Sequence, residues 1–135
     1  MNDQKVSSVE LVIPFADIDA LRVVWHGHYP KYIELARSAL LANHHLDVFE
    51  IEKIGIGLMV YEQHCRHTFP LFYNDRVRID AWFKCIGVRT EIHYRIRNLS
   101  HDRGAARAST SLVFVDKQGR MLEELPHEIC RRLDL

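Results

Sequence analysis

Asp17, Asp19 and His26 are the residues whose types and spacing best suit bond-breaking chemistry. The two carboxylates stand nine and seven residues ahead of the histidine, within FADIDALRVVWHGHYPKYIELAR (15–37). The stretch from His26 reads as a helix. A helix start presents unpartnered backbone N–H groups and partial positive charge. Such an end polarises a carbonyl and holds an oxyanion. A carboxylate beside it attacks the polarised carbon or takes a proton from water. These are the parts of acyl transfer to water. From residue types alone, both carboxylates also suit a plainer role, shaping the approach to a helix. His26 also reads as a histidine that only happens to lie near the helix start.

The elements that must hold these groups follow from hydrophobic period. Residues 6–14 alternate through Val9, Leu11 and Ile13 and read as a strand closed by Pro14; 15–25 follow as a loop. From His26 to about Ala42 the period becomes helical. Tyr29, Tyr32, Ile33, Leu35, Ala36, Ala39 and Leu40 cover most of the circumference, so the helix is expected to be largely buried. Lys31, Glu34, Arg37 and Ser38 form a narrower polar stripe. Pro30 is tolerable in a first turn. Residues 47–54 suggest a short second helix. Strands are expected over 57–69, 76–86, 89–98 and 105–116, with a further short strand over 120–125. In 76–86, Val77, Ile79, Ala81 and Phe83 oppose Arg78, Asp80, Trp82 and Lys84. Short turns demand antiparallel pairing. The class is α+β, one long buried helix covered by one antiparallel sheet.

The chain of 135 residues reads as one domain, 1–135, with no repeat or linker. Eighteen basic residues balance eighteen acidic ones. A general attraction to nucleic acid or to an anionic membrane therefore has no support. No apolar run is long enough to span a bilayer. The first residues lack the apolar core of a secretory signal. Cys65, Cys85 and Cys130 are odd in number and far apart, which argues against disulfides and points to a reducing compartment, the cytoplasm. His26 and His28 offer two metal ligands, but no third has a motif-like spacing, so no metal and no other cofactor is expected.

Residues 15–37 resemble the signature of hotdog-fold acyl-CoA thioesterases of the 4-hydroxybenzoyl-CoA thioesterase and YbgC-like type. That signature reads, approximately, aromatic-x-Asp-x-Asp-x-x-Gly-x-Val-x-His-x-Asn-Tyr, followed by a helix with Glu-x-Ala-Arg. Phe15, Asp17, Asp19, Val23, Val24, His26, Tyr29, Glu34, Ala36 and Arg37 stand in register with it. The implied fold is a hotdog, the helix wrapped by the sheet. The implied activity is hydrolysis of an acyl-CoA or acyl-carrier-protein thioester. Asp19 matches the catalytic carboxylate, nucleophile or general base. His26 matches the position whose backbone N–H faces the thioester oxygen. Asp17 matches the first carboxylate of the pair, an orienting or structural group, and Tyr29 is an implied substrate contact. Arg89 corresponds loosely to a basic position that binds CoA phosphates in one branch, with Lys84 nearby; both also read as solvated strand ends. The resemblance implies a homodimer or homotetramer with active sites between subunits, and an unpaired sheet edge gives a physical reason for the partner.

The match has departures. The family's Gly-containing turn is Ala20-Leu21-Arg22, its Asn is His28, and the tyrosine of one branch is Phe15. Two alternatives keep the fold: a 3-hydroxyacyl dehydratase, although the usual His-Phe context is absent, and a non-catalytic acyl-binding protein. Glu34 and Arg37, three apart on the helix, read either as an ion pair or as part of an interface or pocket wall.

Overall fold

The structure is a computed structural model that describes residues 5–135. Five strands form one antiparallel sheet: β1 (Ser7–Val12), β2 (Gly57–His67), β3 (Arg76–Cys85), β4 (Arg89–Asn98) and β5 (Arg103–Val115). Their spatial order is β1-β3-β4-β5-β2, which leaves β1 and β2 at the edges. The α-helix α1 (Tyr29–Asn43) lies against one face of this sheet, followed by α2 (Val48–Ile54).

Alternation decides which sheet face is covered. Val77, Ile79 and Ala81 of β3 are buried, as are Ile92, Tyr94 and Ile96 of β4 and Ala106, Ala108 and Leu112 of β5. Tyr29, Tyr32, Ile33, Ala36 and Leu40 of α1 meet them in one core. Each fully buried Ile or Leu there contributes about 1.5–3 kcal/mol by leaving water. The helix is less buried than its composition suggests. Its core stripe runs along one face only, and Leu35 on the opposite side is 50% exposed.

Other boundaries shift for local reasons. The α-helix begins at Tyr29, and His26–His28 form a 3-10 turn leading into it. Such tight turns are frequent at helix starts. In α2, the Asp47 carboxylate accepts from the Glu50 N–H at 2.9 Å, and Gly55 ends the helix at φ 88°. The strand expected over 120–125 does not form; Met121 makes only an isolated bridge to Val115. Beyond it lies a helix that alternation did not suggest, α3 (His127–Arg132). Its Ile129, with Leu133, closes a second core against Leu46, Ile51 and Phe114. Among the described residues, no helix is long and apolar enough to cross a membrane.

Candidate active site

The loop between β1 and α1 is folded by its own backbone. After Pro14, Phe15–Asp17 make a 3-10 turn, the Asp17 N–H donating to the Pro14 carbonyl at 3.1 Å. Ile18 and Val24 then pair as an antiparallel bridge around a tight reversal. At its base the Asp19 N–H donates to the Val23 carbonyl at 2.9 Å, and the Arg22 N–H returns to the Asp19 carbonyl at 2.9 Å. Arg22 sits at φ 67°, in the left-handed region. It occupies the glycine position of the signature, so the turn keeps a glycine-type conformation without the glycine. Two further bonds dock the loop: Val24 N–H to the Leu71 carbonyl at 2.8 Å and Trp25 N–H to the Asp17 carbonyl at 3.0 Å.

The two carboxylates have different surroundings. Asp17 is buried at 4% exposure. It accepts from Tyr32 Oη at 2.5 Å and from Lys31 Nζ at 3.0 Å, and His28 Nδ1 lies 3.8 Å away. Burial alone would raise its pKa; the bonds from Tyr32 and Lys31 and the nearby charges outweigh this and hold it below the ordinary value. Asp19 accepts from the Leu21 N–H at 2.8 Å through Oδ1. Among the described residues nothing donates to its Oδ2.

Asp19, His26 and Tyr29 line one cleft of about 370 Å³ with His67, Thr68 and Phe69. The His26 N–H at the head of the 3-10 turn donates to no acceptor among the described residues. A Cβ at Gly27 would overlap the Trp25 ring, so that half-exposed ring would have to turn aside. Tyr29 is buried, and its hydroxyl pKa is pushed up to about 12 by burial and by Cys65.

His67 is a cleft residue that the motif does not contain. It ends β2, and its ring stands edge-on to Tyr29 with centroids 4.3 Å apart. Burial and the neighbouring charge of His26 hold its pKa below the usual histidine value. Its parity with half-buried Cys65 marks it as inward-facing, but nothing local in the sequence joins the end of β2 to the 15–26 loop.

Lys84 and Arg89 lie elsewhere. Arg89 starts β4, stacked over Tyr61 at 5.5 Å. The row that carries His67 crosses β4 at Ile96. Seven residues of strand separate them, about 23 Å at 3.3 Å per residue. Within one chain these cations do not meet Asp19. Phe15 points its ring edge-on to Tyr73, centroids 5.5 Å apart.

Comparison with known proteins settles the class. Residues 13–133 match the Thioesterase-like superfamily, and the chain belongs to it. A Bacillus subtilis relative named "Putative acyl-CoA thioesterase YneP" is 26% identical over 114 residues, covering 84% of this chain and 82% of that one. The structure of Slr0204, a 1,4-dihydroxy-2-naphthoyl-CoA thioesterase from Synechocystis, superposes with a TM-score of 0.83 at 21% identity, covering 97% of this chain and 98% of that one. A DHNA-CoA thioesterase from Staphylococcus aureus gives 0.82 at 22% identity, covering 96% and 91%. The fold is therefore the α+β hotdog that the 15–37 signature implied.

Proposed function

We propose that the protein hydrolyses an acyl thioester, carried by CoA or by an acyl carrier protein, to a free acid and a thiol. The observation that supports this most is the sharing of one cleft by Asp19 and the free N–H at His26, in a chain of the thioesterase superfamily. The thioester oxygen would accept from the His26 N–H, which strengthens its hold as charge develops on that oxygen. Asp19, through its free oxygen, attacks the carbonyl carbon or deprotonates a water that does. The C–S bond breaks, the thiolate leaves, and water supplies hydroxyl to the acyl group and a proton to the thiol. Asp17 holds the loop to α1 through Tyr32 and Lys31, and Tyr29 with His67 walls the cleft.

The reading includes a homodimer or homotetramer in the cytoplasm. β2 is an edge strand of eleven residues on which Met59, Val60 and Tyr61 are exposed. An uncovered apolar edge of this length favours pairing with a second copy. Lys84 and Arg89 belong to the reading as contacts for CoA phosphates bound across that subunit boundary.

The test is a panel of acyl-CoA and acyl-carrier-protein thioesters, with released thiol followed by a chromogenic reagent. Hydrolysis of a subset is expected. Tight binding with no turnover of any member would replace the enzyme with an acyl-binding protein.

A further inference from the structure

Three histidines lie on the strands of the sheet, His64, His67 and His93. His64 and His93 are each held by a glutamate, Glu62 at 2.7 Å and Glu91 at 2.9 Å. His67 is not: among the described residues neither of its ring nitrogens has a hydrogen-bond or ion-pair partner. It lines the Asp19 cleft, and the residue is exposed, within reach of water.

Its position is nonetheless fixed. His67 pairs with Ala106 of β5, and the chain just beyond it is pinned to Ala105, whose carbonyl accepts from the Thr68 N–H at 2.8 Å and from the Phe69 N–H at 3.1 Å. On the other side the ring meets Tyr29, which is 3% exposed and begins α1 three residues after His26. The segment that presents the His26 N–H therefore also sets the His67 ring, and a group held from two sides is ready for chemistry. No bond joins His67 to Asp19, and the cleft of about 370 Å³ leaves room for an acyl carbon and a water beside both.

Hydrolysis needs such a group if Asp19 is the nucleophile. The Asp19 carboxylate is then bound in an anhydride with the acyl group when water attacks, and a base elsewhere must take the water's proton. A free imidazole, with a pKa of about 6.5, is better matched to neutral pH than a free aspartate at about 3.9. Partial burial and the charge of His26 favour the neutral, proton-accepting form of His67. We propose that Asp19 is the nucleophile and that His67 is the base of the second step. Asp19 Oδ2 attacks the thioester carbon, the C–S bond breaks, and the thiolate leaves with the electron pair. Water then attacks the acyl carbon of the anhydride and one of its protons passes to a ring nitrogen of His67. The C–O bond to Asp19 breaks, which restores the Asp19 carboxylate and releases the acid. The proton on His67 goes on to the thiolate. This rests on the thioesterase reading and adds the base and the order of steps.

The experiment follows thiol release by wild type and His67→Phe on the best thioester of the panel, in the steady state and in the first turnover. Phe keeps a ring against Tyr29 and removes both nitrogens. For His67→Phe, kcat is expected to fall by about a hundredfold, with KM falling alongside it so that kcat/KM changes far less, because the first step is untouched. Its first turnover should show a burst of about one thiol per Asp19 cleft, followed by slow release. His67→Ala should be slow in the same way and recover part of its kcat in added imidazole; it serves if His67→Phe does not fold. Near wild-type kcat in both variants, or a joint loss of kcat and kcat/KM with no burst and no rescue by imidazole, overturns this inference and leaves thioester hydrolysis standing. A wild-type protein that turns over no CoA or carrier-protein thioester removes the thioesterase reading, and this inference with it.

Discussion

The Tyr32 hydroxyl donates to the Asp17 carboxylate at 2.5 Å, tying the first acidic residue of the loop to the second turn of α1. Because the acceptor is charged and buried, losing this bond costs about 1.5–3 kcal/mol. Tyr32→Phe is expected to lower the unfolding free energy by that amount, read by urea denaturation. Activity per folded molecule should change less than stability does. The same network sets an acid limit. The folded Asp17 pKa lies below its unfolded value, so its contribution is complete above the unfolded pKa and is lost as pH falls through the folded one. Asp17→Asn should flatten stability against pH in that acid range.

Arg22 tests the loop backbone. A non-glycine residue at φ 67° carries left-handed strain. Arg22→Gly relieves the strain but loosens the unfolded chain, and the two effects oppose each other. The expected result is neutral to about 1 kcal/mol more stable. Arg22→Val, β-branched at a positive φ, should be less stable than wild type by about 1–2 kcal/mol. Thermal melts of the two variants check the pair.

His67 gives a pH signature near neutrality. Its folded pKa is depressed, so the unfolded chain binds its proton first as the solution is acidified. Stability from this group is full above the unfolded value of about 6.5 and falls as pH drops from there through the folded pKa. His67→Asn should remove that component, seen as a smaller decline in melting temperature between neutral and mildly acidic buffer.

Sheet and helix were legible where burial on one face imposes a period. Val77, Ile79 and Ala81 announced β3, and Tyr32, Ile33, Ala36 and Leu40 announced α1. The ends were harder to read. His127–Arg132 is a short helix whose inward residue Ile129 has meaning only beside Leu46 and Phe114, which come from distant segments. At the site, the motif drew attention to Asp17 and Asp19 together. What separates their surroundings is Tyr32, fifteen residues on, and Lys31, neither of which marks itself locally as a partner. His67 was hidden because its place depends on β2 ending beside Tyr29. Arg89 corresponds only loosely to a basic position of the family, with Lys84 nearby, and the β3–β4 hairpin carries both to the other end of the sheet from Asp19.

The most direct measurement is the turnover of Asp19→Asn on the best thioester of the panel, with a melt to confirm folding. Asn keeps the Oδ1 bond to the Leu21 N–H and removes the charge. If Asp19 is nucleophile or base, hydrolysis falls by at least about a hundredfold. His26→Ala should lose less, since its backbone N–H remains, and Asp17→Asn least per folded molecule. A folded Asp19→Asn protein with near wild-type turnover would contradict the account and assign the catalytic carboxylate to another residue.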